Sequence, residues 1–199
     1  MVVAAVGVAV GVCAAPGEAH AVPEILEPST RPWFFTGGIG PSIIMAGDYG
    51  LGWGHRGCDW RWGGCWGGAD AQFMLQVEVG YHFSGDGAGP ALGFGMDMGF
   101  GGSFRIEPGL KFWYDIGPIA DMAIYVTPYA QLGYGYVQPD YHAFNIQFGA
   151  SCRIVLGDRG MLFMTPIGID LDPGGHSRSA SSSGVLATWN IMFGGGVTF

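Results

Sequence analysis

Apolar and polar residues alternate along much of this chain with a period of two. Across residues 71–83, Phe73, Leu75, Val77, Val79, Tyr81 and Phe83 fall on one parity, and Gln72, Gln76, Glu78 and His82 on the other. Side chains of an extended strand point alternately to opposite faces, so the pattern predicts a strand with one greasy face and one polar face. The alternation returns in residues 90–100, where Leu92, Phe94, Met96, Met98 and Phe100 oppose Gly93, Gly95, Asp97 and Gly99. In residues 103–114, Phe104, Ile106, Leu110, Phe112 and Tyr114 alternate with Arg105, Glu107 and Lys111. Residues 142–156 set Phe144, Ile146, Phe148 and Ile154 against Asn145, Gln147, Ser151 and Arg153. Residues 185–199 carry Val185, Ala187, Trp189, Ile191, Phe193, Val197 and Phe199 on the apolar parity. Strand-like stretches at 33–46, 121–134 and 161–171 complete a set of eight, with no helical period among them.

Eight strands in sequence predict an up-and-down antiparallel sheet, and an even number returns the chain to the side where it began. The expected connections after the second, fourth and sixth strands are tight. Those after the first and seventh are long, the one after the fifth is intermediate, and the one after the third is short and out of step. Short turns on one side and longer loops on the other are the habit of a membrane barrel. Charge supports this. Glu78, Asp97, Arg105, Glu107, Lys111, Arg153 and Asp170 all lie on the parity opposite the apolar face. A soluble barrel would turn them outward, whereas a lipid-facing Lys or Arg at mid-bilayer costs about 2–4 kcal/mol. Aromatics gather at the strand ends as interfacial girdles do: Trp33, Phe35, Tyr81, Phe83, Phe112, Tyr114, Phe193 and Phe199 at one, and Phe73, Phe100, Phe104, Tyr134, Tyr141 and Phe144 at the other. The expected class is all-β, an eight-stranded antiparallel up-and-down transmembrane β-barrel of a bacterial outer membrane.

A barrel this narrow has an interior that side chains fill. The seven inner charges are therefore expected to form an ion-paired plug, with Trp113, Tyr125 and Tyr129 pointing inward and the glycines of the third strand making room for them. Prolines 41, 108, 128 and 166 fall inside expected strands. Proline cannot donate to a ladder and a closed barrel has no edge, so either bulges or different boundaries are expected there.

Composition narrows the picture further. Charged residues are 12% of the 199, about half the usual share for a soluble domain, while apolar residues reach 49%. The formal net charge is -8 and no Lys/Arg cluster occurs, which leaves no footprint for nucleic acid. Residues 2–15 form an apolar run too short for a spanning helix but suited to a signal-peptide core, and Ala19-His20-Ala21 offers a small-x-small cleavage site. The expected organisation is a signal peptide over 1–21, a proline-containing periplasmic leader over 22–32 and the barrel over 33–199. Residues 1–7 lack the usual basic n-region, which a start upstream of Met1 would explain. Val12 before Cys13 is too large for a good lipidation site.

Thr127-Pro128-Tyr129-Ala130-Gln131-Leu132-Gly133-Tyr134-Gly135-Tyr136 resembles the Pro-Tyr … Gly-x-Gly-Tyr strand of small outer-membrane barrels, the OmpA-like and OmpX-like transmembrane domains. Residues 33–40 and the Phe-terminated last strand fit the same group. The resemblance implies the fold and the outer-membrane location, and it implies no catalytic residues. Phe199 resembles the C-terminal signal read by the barrel-assembly machinery, which makes that machinery an expected partner.

Candidate chemistry concentrates in residues 47–70. Cys58 and Cys65 are expected to close a small loop as a disulfide, the usual state of such a pair in an exported protein. With His55 they supply three zinc ligands and no obvious fourth, so no metal is expected. Gly52-Trp53-Gly54-His55-Arg56-Gly57 fits G-x-G-x-x-G, but without a following helix it makes no phosphate site. Trp53, Trp60, Trp62 and Trp66 suit anchoring at the headgroup level, and with Arg56 and Arg61 they also suit lipopolysaccharide phosphates, a glycan or a surface protein. His82-Phe83-Ser84 resembles the His-x-Ser of outer-membrane lipid A deacylases, but it falls at the periplasmic end with His82 facing inward. His176-Ser177 has no fixed base, and neither pair has a positioned acid. Cys152 falls on the lipid-facing parity, where a thiol behaves as a small apolar residue. The expected function is structural or surface-interacting, through external loops, in contact with outer-membrane lipid and lipopolysaccharide. No cofactor, metal or enzymatic role is implied. The rivals are a narrow channel or small-ligand-holding barrel, and then a lipid-modifying enzyme.

Overall fold

The computed structural model describes residues 31–46, 71–84, 88–101, 104–119, 122–138, 141–157, 159–173, 176–177 and 186–199. Nine strands run in order: β1 Trp33–Ala46, β2 Ala71–His82, β3 Gly89–Phe100, β4 Arg105–Asp115, β5 Ile124–Val137, β6 Tyr141–Leu156, β7 Gly160–Asp172, β8 His176–Ser177 and β9 Leu186–Thr198. The eight long strands pair antiparallel with their neighbours in turn. β9 then returns to β1, from Phe34 opposite Thr198 to Ala46 opposite Ala187, and the sheet closes. The last rung joins the Trp33 amide to the Phe199 carbonyl (3.1 Å) and the Phe199 amide to the Trp33 carbonyl (2.9 Å). The protein is an all-β, closed, eight-stranded up-and-down barrel. The two-residue β8 lies beside the start of β6, with Tyr141 opposite Ser177. We call the end holding Trp33, Phe199 and the connections after β2, β4 and β6 the turn end, and the other the loop end.

Two connections differ from the sequence expectation. The fifth strand spans 124–137 rather than 121–134, because Gly135, Tyr136 and Val137 continue the alternation and pair with Ala143, His142 and Tyr141. Only residues 138–140 then separate β5 from β6, so the intermediate loop expected there is a short link. Long connections at the loop end follow β1 and β7 alone. At the turn end the link from β4 to β5 is longer than expected and is narrowed by pairings of Ile116 with Val126 and Ile119 with Met122.

All four prolines do lie within strands; three keep their pairing on one side, and Pro166 loses it on both. An antiparallel residue directs its backbone polar groups toward one neighbour only. Pro41 stays opposite Phe73 on β2, while on the β9 side pairing jumps from Ile39 to Ser42. Pro108 stays opposite Met96, while toward β5 it jumps from Ile106 to Gly109. Pro128 stays opposite Ala150 and lies beyond the last β4 rung, Trp113 to Tyr129. Pro166 sits in a bulge, where the register of β7 shifts against both β6 and β9.

The pleat sorts the side chains. Every Asp, Glu, Lys and Arg of the long strands is buried inside, together with Thr36, Gln76, Gln131, Asn145, Gln147 and Asn190. The outer wall carries Ile39, Val79, Phe94, Leu110, Leu132, Phe148 and Phe193 at mid-height. Aromatics crowd both rims: Trp33, Tyr81 and Phe83 stack edge-on at the turn end (4.9 and 6.0 Å), and Phe100 meets Phe104 at the loop end (5.6 Å). Two residues depart from the expected girdles. Phe193 pairs with Ile39 well inside the belt, because Gly194-Gly195-Gly196 carries β9 beyond it. Tyr141 turns inward and is buried with Val137, Ala143 and Leu186, closing the loop end of the lumen.

Candidate functional site: the filled lumen

Trp113, Tyr125 and Tyr129 point into the barrel and are buried. The room for Tyr129 comes from β6 and β7 and not, as the sequence suggested, from the glycines of β3. A Cβ at Gly149 or Gly168 would stand 2.8 or 2.7 Å from the Tyr129 hydroxyl, whereas one at Gly95 would strike Gln131. Around these rings the polar side chains sort into three levels.

At the turn end, Asp115 is the hub. It accepts a hydrogen bond from His82 Nε2 (2.8 Å) and from Thr127 Oγ1 (2.5 Å), and it pairs with Arg153. The Arg153 guanidinium lies over the Phe34 ring at 5.0 Å and against the Met161 sulfur, and Phe34 meets Trp113 edge-on at 5.1 Å. At mid-height Lys111 pairs with Glu78, which also accepts from Thr36 Oγ1 (3.1 Å), and its Nζ sits 3.9 Å from the centre of the Tyr129 ring. Asp97 accepts from Gln147 Nε2 at 2.7 Å. Beside this level Phe34, Trp113, Tyr129 and Phe163 surround a cavity of about 20 Å³, room for a water molecule and little more. At the loop end Arg105 pairs with Glu107 and Asp170 and lies 3.6 Å from Asp172, while Asn145 Nδ2 reaches all three carboxylates.

Arranged this way the lumen is occupied by its own charged and polar side chains, most of them bonded to a partner on another strand. That arrangement can hold strands in register and exclude an open aqueous path. His82 does have a positioned acid, contrary to expectation, because Asp115 engages its Nε2, while the Ser84 hydroxyl, exposed in the turn, bonds the Ala88 carbonyl. Neither serves the other.

The structure places Glu78, Asp97, Arg105, Glu107, Lys111, Arg153 and Asp170 inside, but in separate levels and not in one network. Sequence reading missed Asp115 and Asp172, each assigned to a turn because Asp favours turns. Parity would have found both, since Asp115 follows Trp113 by two and Asp172 follows Asp170 by two. Phe199 lies at the turn-end rim with its ring exposed. Cys152 sits at partial exposure opposite Val126 and Met164, and it is disulfide-bonded and not the unpaired thiol its parity suggested. Trp53, Arg56, Trp60, Arg61, Trp62 and Trp66, and the Cys58–Cys65 pairing, lie outside the described residues, as do the proposed signal peptide and most of the leader.

Fold and polarity together define a class: a closed eight-stranded barrel turned inside out, with charge within and hydrocarbon without. No protein-family model matches the chain, and no curated protein matches it by sequence. Among solved structures it is similar to the crystal structure of Neisserial surface protein A, with a TM-score of 0.57 over 84% of this chain and 97% of that one. The identity is 8%, so the likeness is one of fold. It agrees with the broader resemblance to small eight-stranded barrels; the OmpA-like assignment continues to rest on the short motif around Pro128.

Proposed function

We propose that the chain is a bacterial outer-membrane barrel, closed within by its own side chains, that acts at the cell surface through the segments beyond its loop end. The observation that carries this reading is the polarity of the wall. All charge of the long strands is buried in the lumen, while the exposed belt is Leu, Ile, Val and Phe between two aromatic rims. A belt that continuous far exceeds the apolar patch a soluble monomer leaves in water, and it has the composition bilayer hydrocarbon requires. Outer-membrane lipid and lipopolysaccharide are then the immediate partners. Residues 53–66, with four tryptophans and two arginines, are the candidate contact for lipopolysaccharide, a glycan or a surface protein. Phe199 is the candidate signal for the assembly machinery.

Two measurements test the reading. Cells expressing the full chain should yield it in the outer-membrane fraction, with gel migration that changes on heating; recovery from the medium or periplasm as a soluble species would refute it. Deleting residues 53–66 should leave assembly intact and remove surface binding to lipopolysaccharide, glycans or cells. If binding is unchanged, the role assigned to that loop is wrong.

A further inference from the structure

We propose that the loop end of the lumen binds one calcium ion, held by carboxylate oxygens of Glu107, Asp170 and Asp172 and by the side-chain oxygen of Asn145, next to Arg105. The inference concerns the inside of the barrel and does not depend on what the surface segments bind.

The charge count of this level differs from the other two. Arg153 faces Asp115, one cation to one anion, and Lys111 faces Glu78 with Asp97 on the same level, one cation to two. Here three carboxylates converge on the single guanidinium of Arg105, with one oxygen of each within 4.8 Å of the others and the groups 0–1% exposed. Carboxyl groups thus outnumber the cation by two in a buried place. Uncompensated buried charge is among the most costly features a fold can carry. A divalent cation beside Arg105 brings the level to neutrality.

Unmet hydrogen-bonding capacity points the same way. Glu107 Oε2, Asp172 Oδ2 and Asn145 Oδ1 are buried without a hydrogen-bond partner, and Glu107 and Asn145 are 0% exposed. The Asn145 amide nitrogen, with two hydrogens, is shared among acceptors on all three acids, at 3.2 Å from Glu107 and 3.0 Å from Asp172. A half-turn of the amide, which exchanges atoms of nearly equal size, puts an oxygen at that focus and supplies a fourth ligand.

Ligand type and spacing select the ion. The donors are all oxygen, as hard cations demand. Calcium binds oxygen at about 2.3–2.6 Å and so spans opposite ligands up to about 5.2 Å apart, whereas magnesium spans only about 4.2 Å. A spread of up to 4.8 Å lies within the span of calcium, and the ion takes the place between the carboxylates that Arg105 and the Asn145 amide now fill. Arg105 opens β4 and Asp172 closes β7, so the site lies at the end of the lumen nearest the loops.

The test uses the full chain folded in zwitterionic detergent free of lipopolysaccharide, with calcium chloride as the probe. Equilibrium dialysis should give one saturable calcium per chain. Glu107→Gln and Asp172→Asn should each weaken it at least about tenfold, while Asp97→Asn, at mid-height, should leave it unchanged. Calcium should raise the unfolding temperature of the wild type but not of those two variants. In chelator Asp172→Asn should unfold no lower than wild type, because it removes a repelling charge; a mere partner of Arg105 would lose stability with or without calcium. Asn145→Asp adds a fourth carboxylate and should bind more tightly, which keeps the test informative if either neutralised variant fails to fold. Absence of saturable binding, or binding indifferent to both neutralising changes and to Asn145→Asp, overturns the proposal.

Discussion

Lys111 shows what a single residue contributes here. Its ammonium pairs with Glu78 and rests on the Tyr129 ring, at 2% exposure. Replacing it with Met removes the cation and leaves a carboxylate in a place water hardly reaches. Removing one member of a buried pair costs about 3–5 kcal/mol, whereas removing both is often near neutral. Lys111→Met should therefore lower the unfolding free energy in lipid vesicles by about that amount, and adding Glu78→Gln should restore most of it. Equal losses in the single and double variants would show that the pair is not what holds this level. At this scale the sequence revealed direction but not partnership. Parity alone put Glu107 and Asp170 inside, yet nothing local joins Arg105 to a carboxylate 65 residues away. Nor could it show which backbone yields to Tyr129, because Gly149 and Gly168 meet that ring only after closure.

Strands were the most legible elements, because one face must suit hydrocarbon and the other a polar lumen. The alternation 71–83 became β2 almost unchanged, and 33–46 became β1. Boundaries failed where turn-forming residues also continue the parity, as at Gly135 and Asp172. The prolines were legible as a conflict but not as its solution, since only the three-dimensional ladder shows which neighbour loses a rung. A strand-level test of the bilayer follows from β4. Leu110 is 65% exposed at mid-height, with Tyr114 on the same face near the turn end. Leu110→Arg should cost about 2–4 kcal/mol in vesicles and Tyr114→Arg about 0–1 kcal/mol. A barrel surrounded by water would feel neither change by more than about 0.5 kcal/mol.

At the scale of the molecule, the described residues stack three levels of ion pairs and rings across the lumen, beside a cavity near the size of one water. In planar bilayers the protein should show no steady, ion-selective openings. Sustained conductance would replace the plugged lumen with the channel alternative. What the whole molecule does beyond the membrane was the least legible feature. The tryptophan-rich stretch has no period and no partner within the chain from which a geometry could be argued.

Closure has a kinetic consequence. The first long strand finds one of its two neighbours only in the last, Phe34 opposite Thr198. Contacts that distant in sequence make for slow folding, because the entropy of ordering the intervening chain is spent before they form. Until β9 arrives, β1 presents an unsatisfied edge and the belt stays open to water, both invitations to aggregate. Seven strands out of eight are thus a hazard and not a partial product. The chain has to be kept apart from its own kind until its end is in place.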